Sequence, residues 1–122
     1  MLNSSSAFRI AAVAGFLGVA LGAFGAHGLH DLLVKNHNVA IWEKAVLYHL
    51  VHAVVMLFVA SREPLPRCAW ILFFLGVLIF SGTLYALALT NIKWLGAITP
   101  LGGGCLLAGW LVLAVCPRSV SR

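Results

Sequence analysis

The sequence contains few charged residues. Only 9% of its 122 residues are charged and 62% are hydrophobic, whereas an ordinary soluble domain has about a quarter charged residues. Three Asp and Glu together with eight Lys and Arg cannot cover a water-facing surface around this much apolar material. The composition excludes a disordered chain, which needs low hydrophobicity and high charge. It argues equally against a water-soluble monomer, and leaves a single integral membrane domain over residues 1–122 whose first partner is the lipid bilayer.

Acidic residues are the scarcest chemical group. The sequence has only Asp31, Glu43 and Glu63, and all three lie in or beside polar segments. A paired carboxylate site within the membrane is therefore excluded. The sequence also has no nucleophile elbow, no HExxH zinc motif and no phosphate-binding glycine loop. We therefore expect neither an enzyme nor a bound cofactor.

Paired cysteines and clustered basic residues are also missing. The three cysteines, Cys68, Cys105 and Cys116, form no CxxC pair and lie in or beside apolar stretches. We expect them to be small buried hydrophobic residues, and we expect no metal site. The eight basic residues are scattered along the chain and form no stripe, so they do not indicate nucleic-acid binding.

Four long apolar stretches dominate the chain, at about residues 7–29, 42–60, 68–89 and 95–116. Each is close to the ~20 residues that a helix needs to cross the hydrocarbon core. Because a helix satisfies its own backbone hydrogen bonds in lipid, the stretches predict an all-α bundle of four transmembrane helices. The first loop is long enough for one interfacial helical turn. Thr99 followed by Pro100 suggests an N-cap for the last helix.

Basic residues predict the orientation of the four helices. An even number of spans places both termini and the second loop on one side of the membrane. That side carries Arg9, Arg62, Arg67, Arg118 and Arg122. The other side carries Lys35, Lys44 and Lys93. Five against three predicts termini on the cytoplasmic side of a multi-pass protein of the cell inner membrane.

Histidines within the apolar stretches are the leading functional candidates. His27 ends the first stretch, and His49 and His52 are three residues apart, so they share one face of the second helix. That face could ligate a metal, hold a haem or relay protons. The alternative is a neutral imidazole that is hydrogen-bonded across the bundle. A depth difference of roughly 12 Å between His27 and His52 disfavours a shared haem.

Small residues recur at two places. Ala14, Gly18, Gly22 and Ala26 are four residues apart, a spacing that lets two helix backbones approach closely. The contact could be a homodimer interface or packing within the bundle. Three consecutive glycines at 102–104 could likewise permit close packing, a flexible opening or an anion site at the start of the last helix.

Several segments resemble one family. The matching segments are 22–29 (GAFGAHGL), 48–53 (YHLVHA), 81–87 (SGTLYAL), 95–103 (LGAITPLGG) and 109–110 (GW). They are similar, in order, to the motifs of the YgdD/YwdK-like small bacterial membrane proteins, a family of unknown function whose animal relatives are known as transmembrane protein 256. The resemblance implies a four-helix inner-membrane protein without an established activity. This sequence departs from the family pattern at His49, where relatives often carry Gln.

The family motifs and the four-residue spacing of small residues together select two sets of residues. The polar candidates are His27, Tyr48, His52, Ser81, Tyr85 and Thr99. The expected helix-packing residues are Gly18, Gly22, Gly25, Gly82, Gly102 and Gly103. Because the position of His49 needs only a polar group in relatives, the resemblance leaves His27 and His52 as the pair to examine.

Two functions remain open. The first is a non-enzymatic structural or interaction role in membrane integrity or a membrane complex, with a homo-oligomer as one form of that complex. The second is intramembrane binding or transport of a small ligand, proton, haem or quinone. It would use His27, His52 and residues 99–104.

Overall fold

The computed structural model describes residues 1–116, and over that range its only regular elements are helices. Its helices are α1 (Ser4–Ala26), α2 (His30–Lys35), α3 (Val39–Ala60), α4 (Arg67–Thr90) and α5 (Leu95–Val115). Four of them, α1, α3, α4 and α5, are long and apolar enough to cross a membrane. The predicted all-α fold with four spans is confirmed, and the short α2 occupies the position of the expected interfacial turn. Arg118 and Arg122, which entered the orientation count, lie outside the described residues.

The first helix begins three residues earlier than the hydropathy suggests. The Asn3 side-chain oxygen accepts a hydrogen bond of 2.8 Å from the Ser6 backbone N–H. This is an N-cap, which satisfies one of the free amides at the helix start. At the other end, α1 ends at Ala26. The backbone N–H of the C-cap residue, His27, bonds to the carbonyls of Ala23 and Phe24.

The start of α5 corrects one prediction. Thr99 is not an N-cap, because the helix already begins at Leu95 and Pro100 lies inside it. Proline has no N–H to donate to the carbonyl four residues earlier, a loss that neighbouring groups compensate in membrane helices. The Thr99 hydroxyl lies 3.3 Å from the Leu95 carbonyl oxygen.

The helices pack in the order in which they occur in the chain. Helix α1 packs against α3, α3 against α4, and α4 against α5, while α2 contacts α1, α3 and α4. Helices α3 and α4 are therefore central and α1 and α5 are outer. The residues that the outer helices bury are Ala7, Ala11, Gly18 and Gly25 in α1 and Thr99, Gly102, Leu106 and Gly109 in α5. Separations of three, four and seven residues place each set in one narrow stripe, so the rest of each outer helix faces lipid.

Two apolar clusters form the core at opposite ends of the helices. The larger includes Met56, Phe73 and Trp70 and lies toward the termini and the second loop. The smaller contains Leu33, Trp42 and Ala88 and lies toward the first and third loops. Leu33 is almost fully buried, so the short α2 serves as a lid over the second cluster.

The glycines of α1 face α3 within the same chain. A Cβ at Gly18 would lie 2.6 Å from Leu50 Cδ2, and one at Gly22 would lie 3.2 Å from Val46 Cγ1. A Cβ at Gly25 would collide with the indole of Trp42. Packing within the bundle, rather than a homodimer contact, thus occupies these three glycines.

The glycines of α4 and α5 divide into close contacts and open positions. A Cβ at Gly102 would collide with the backbone of Phe80, whereas one at Gly103 would make only an ordinary 3.7 Å contact with the Phe80 ring. Gly82 does not occupy the expected packing position, because an added Cβ there meets nothing within 4 Å. Gly76, which was not predicted, would place a Cβ 2.5 Å from the Leu106 side chain. An anion site at 102–104 is excluded, because these residues lie within α5 and not at its start.

The expected burial of the cysteines is wrong. Cys68 is exposed at the beginning of α4, and Cys105 and Cys116 are partly exposed. In α4 and α5 the neighbouring Ala69 and Leu106 are buried instead, so Cys68 and Cys105 fall outside the buried faces of their helices.

Candidate functional site

The central helix α3 carries two buried histidines. His49 and His52 are 7% and 6% exposed, and they lie one helical turn apart. Buried polar groups within a membrane need hydrogen-bond partners, because lipid offers none. The partners of each ring nitrogen therefore decide what these side chains can do.

His49 connects three helices. Its Nε2 lies 2.7 Å from the carbonyl oxygen of Ala14 in α1, and its Nδ1 lies 2.9 Å from the hydroxyl of Tyr85 in α4. A carbonyl can only accept, so Nε2 carries the proton and donates. Nδ1 is then the acceptor, and the Tyr85 hydroxyl donates to it. Both nitrogens of a neutral imidazole are used.

His52 has the opposite arrangement. Its Nδ1 lies 2.8 Å from the Tyr48 carbonyl oxygen, one turn earlier in α3. Its Nε2 accepts a hydrogen bond of 3.1 Å from the indole N–H of Trp110 in α5. Nδ1 therefore carries the proton. The ring also lies edge-on to Trp110, with ring centroids 6.0 Å apart.

These bonds leave no lone pair on either ring for a ligand. A metal ion would need the neutral imidazole nitrogen that accepts from Tyr85 in His49 or from Trp110 in His52. Over residues 1–116, no three His, Cys, Asp or Glu side chains are grouped so that they could hold a metal ion. The two histidines are positioned to connect helices.

Hydroxyl groups make further connections between helices. Ser81 is buried and donates a 2.8 Å hydrogen bond to the Ala45 carbonyl of α3. Thr83 Oγ1 lies 2.6 Å from its own helix's Ile79 carbonyl and 2.7 Å from Thr99 Oγ1 of α5. Both hydroxyls have a carbonyl in reach, but the contact of Thr83 with Ile79 is much shorter than the 3.3 Å contact of Thr99 with Leu95. The shorter contact assigns the Thr83 proton to Ile79 and leaves Thr99 to donate to Thr83.

His27 and His52 do not form a pair. Gly25 faces Trp42 and Gly18 faces Leu50, which fixes how α1 and α3 run past each other. This alignment places His52 about 11 residues from the level of His27, or roughly 17 Å at 1.5 Å per residue. His27 is exposed at the end of α1.

One groove does bring His52 close to the glycine run. The α3–α5 groove has a volume of about 460 Å³ and is lined by Tyr48, His52, Phe80, Pro100, Gly103, Gly104, Leu106, Leu107 and Trp110. The Tyr48 ring packs against Phe80 at 4.6 Å between centroids, and Tyr48 is 40% exposed. Within residues 1–116 the Tyr48 hydroxyl forms no hydrogen bond. Tyr48 is thus the one family-motif residue of this groove with an uncommitted polar group.

A second groove lies between α1 and α4. This α1–α4 groove has a volume of about 240 Å³, and His49, Ser81 and Tyr85 line it together with apolar side chains. The polar family-motif residues are thus divided among the two grooves, the Thr83–Thr99 contact and the exposed end of α1. Residues 1–116 therefore contain no single polar centre.

Sequence reasoning missed a cap at the end of α4. Asn38 is 2% exposed, and its side-chain amide lies 3.2 Å from both the Ala88 carbonyl oxygen and Asn91 Oδ1. Asn36 donates to the carbonyls of Ala88 and Leu89 at 3.2 and 3.3 Å. The last carbonyls of a helix have no partner within it, so these two side chains satisfy them. The available signal was a pair of asparagines two residues apart in the first loop.

Trp42 makes a similar contact between helices. Its indole N–H donates a 2.9 Å hydrogen bond to the Leu21 carbonyl of α1. The ring also packs against Tyr85 at 4.8 Å between centroids. Trp42 therefore connects α1, α3 and α4, as His49 does seven residues later in α3. A tryptophan near the membrane interface is usually expected to contact lipid headgroups. For that reason the sequence did not predict that Trp42 connects helices.

The fold and these contacts define a small multi-pass helical membrane protein whose intramembrane polar groups connect its own helices. Residues 21–103 match the family model described as "Protein of unknown function (DUF423)". The chain belongs to this family. The relationship predicted from the sequence motifs is thereby confirmed.

Three relatives with high similarity are described as membrane proteins, which confirms the assignment to the cell membrane. A "UPF0382 membrane protein" of Staphylococcus epidermidis is 42% identical over 111 residues, which cover 87% of this chain and 89% of the relative. The "UPF0382 membrane protein SH2409" of Staphylococcus haemolyticus is 44% identical over 110 residues, with the same coverage. The "UPF0382 membrane protein YwdK" of Bacillus subtilis is 38% identical over 113 residues, which cover 87% of this chain and 90% of the relative. No solved structure matches the chain.

Proposed function

We propose that this chain is a non-enzymatic membrane component with a structural or interaction role, in membrane integrity or in a membrane complex. The observation that carries the proposal is the bonding of His49, whose two ring nitrogens connect α3 to α1 and α4. Histidine is a side chain that could bind a ligand or transfer a proton, but both ring nitrogens of His49 are used in contacts between helices. Such a molecule requires no cofactor and no nucleic acid.

The outer helices offer the surfaces for that role. Phe16 of α1 is 72% exposed, and Leu107 and Leu111 of α5 are 68% and 67% exposed. Because α1 and α5 each bury only one narrow stripe, their remaining faces are free to contact lipid or another helix. A homo-oligomer or a larger complex would form through these faces. We further propose that both termini are cytoplasmic, as the distribution of basic residues indicates.

The test is photo-crosslinking in native membranes. A photoreactive phenylalanine analogue is placed at Phe16 on α1 or at Leu111 on α5, both at outward positions. We expect a discrete protein adduct, to a second copy or to another chain, from at least one position. His27→Gln and His52→Gln should leave that adduct intact. Crosslinks to lipid alone from both positions would contradict an interaction role.

Ligand binding in the α3–α5 groove is the second candidate function. The observation that favours it is the free Tyr48 hydroxyl, which shares the groove with His52 and Gly103. A hydroxyl without a partner inside a membrane can donate to a carbonyl oxygen of a small amphiphile. His27 has no part in this candidate because of its distance along α1.

Extraction followed by mass spectrometry separates the two candidates. Tyr48→Phe removes the hydroxyl and keeps the ring, so a bound small molecule should be lost from the purified protein. If the wild-type protein carries no molecule that Tyr48→Phe lacks, the ligand candidate fails. The crosslinking result above does not depend on this outcome.

A further inference from the structure

A third groove lies at the end of the molecule that carries the first loop. It is formed by α1, α2 and α3 and has a volume of about 460 Å³. Gly22 and Gly25 leave space along α1, and α2 closes the groove above with His30 and Leu33. We call it the α1–α2–α3 groove. It shares no lining residue with the α3–α5 groove.

The groove changes from charged to apolar along its length. Glu43 and His30 line it near the helix ends, whereas Leu47 and Leu50 line it farther along α3. Leu47 and Leu50 are four and seven residues beyond Glu43, or about 6 and 10 Å deeper at 1.5 Å per residue. One end is therefore at headgroup level and the other in the acyl-chain region. This is the polarity pattern of an amphiphile that lies parallel to the membrane normal.

The charge at the outer end is that of an unpaired carboxylate. Glu43 is exposed, and within residues 1–116 no cationic side chain forms an ion pair with it. Lys44 follows it in α3, while Asp31 and Lys35 belong to α2, and none of these three lines the groove. A carboxylate attracts an ammonium group and repels an anionic headgroup.

We propose that the α1–α2–α3 groove binds one phospholipid of the adjacent leaflet whose headgroup carries a primary ammonium. The ammonium group faces Glu43, and one acyl chain runs along Leu47 and Leu50. A lipid is the occupant that matches both ends of the groove, because it supplies a cation and a continuous apolar chain at the correct depths. The inference rests on this groove alone and does not depend on the proposed function.

Competition between two lipids tests the proposal. The full-length protein is incubated with mixed micelles of equimolar phosphatidylethanolamine and phosphatidylglycerol that have identical acyl chains, and retained lipid is measured by native mass spectrometry. We expect one retained phosphatidylethanolamine per chain, favoured over phosphatidylglycerol about two- to fivefold, the range of an exposed ion pair. Glu43→Gln should abolish the preference. Asp31→Asn, an equal change of charge outside the groove, should preserve it.

A second pair of variants tests the location. Ala26 is exposed and lines the groove, so Ala26→Leu should fill the space and reduce total lipid retention without disturbing a helix contact. Ala23→Leu makes the same change at an exposed position of α1 outside the groove and should retain the lipid. Equal retention of both lipids by the wild type, or an unchanged preference in Glu43→Gln, would overturn the proposal. So would a lipid-free dimer that covers Glu43.

Discussion

His49 and His52 lie on the same face of α3, yet they are held in opposite tautomers. His49 donates from Nε2 to the Ala14 carbonyl, whereas His52 donates from Nδ1 to the Tyr48 carbonyl. Each remaining nitrogen accepts from an aromatic side chain on a different helix. The pair therefore uses one bond with α4 and one with α5, so α3 is connected to both helices. Protonation of either ring would remove one of these acceptors.

Nitrogen NMR of labelled histidine should show this difference directly. We expect a protonated Nε2 for His49 and a protonated Nδ1 for His52. Tyr85→Phe should alter the His49 signals alone, and Trp110→Phe those of His52 alone. A shared tautomer, or a response of both rings to one substitution, would contradict the assignment.

Removal of the Tyr85 hydroxyl should destabilise the protein. Tyr85→Phe leaves Nδ1 of the buried His49 without a donor, and we expect a loss of about 0.6–1.7 kcal/mol, the span from mean to maximum of interhelical hydrogen bonds in membranes. Tyr48→Phe is the matched control, because the Tyr48 hydroxyl has no hydrogen bond within residues 1–116. Unfolding by steric trapping in bicelles measures both. An equal loss in the two variants would refute the importance of the His49 bond.

The sequence was sufficient to predict the number and type of helices, because hydropathy over ~20 residues reports the solvent of a span directly. It was less able to predict where helices begin. The Asn3 cap extends α1 by a turn that hydropathy does not register. Conversely, Thr99 and Pro100 have the local pattern of a helix start but lie inside α5, where the contact of the Thr99 hydroxyl with Thr83 stabilises the segment.

Contacts between helices were harder to predict than the helices. Four-residue spacing identified Gly18 and Gly22 as packing residues of α1, but nothing in the sequence states which helix they face. Gly82 and Gly102 look equivalent as small residues, and only the three-dimensional arrangement separates the open one from the buried one. No periodic pattern in the sequence points to Asn38, because its side chain bonds to carbonyls at the end of a helix about 50 residues away in the sequence.

Gly102 should not tolerate a methyl group. In Gly102→Ala the new Cβ collides with the backbone of Phe80, which cannot rotate away as a side chain can. We expect a loss of about 1–3 kcal/mol or more, as for overpacked cores. Gly104→Ala lies on the same helix with nothing within 4 Å of the new Cβ. It should be neutral or stabilise the helix by up to ~1 kcal/mol. Thermal unfolding in detergent compares the two, and equal stability would refute the close contact of α4 and α5.

Asn38 should be more important to stability than Asn36. Asn38→Ala removes a buried donor from the final carbonyls of α4, and we expect a loss of about 1–3 kcal/mol. Asn36→Ala removes a half-buried donor from overlapping carbonyls and should cost less, because water can replace it. Hydrogen exchange near Thr90 should accelerate more in Asn38→Ala. Equal or reversed effects would show that the cap does not hold the end of α4.

The native Cys68 offers a test of orientation. It is exposed at the beginning of α4, next to the second loop and thus on the side of the N-terminus. In a chain whose Cys105 and Cys116 are replaced by alanine, a membrane-impermeant maleimide should label Cys68 in inside-out vesicles and not in intact cells. With Cys68 also replaced by alanine, Lys35→Cys on the opposite side should show the reverse pattern. The physical reason is the excess of basic residues on the terminal side, which is retained in the cytoplasm during insertion. Labelling of Cys68 in intact cells would require the opposite topology.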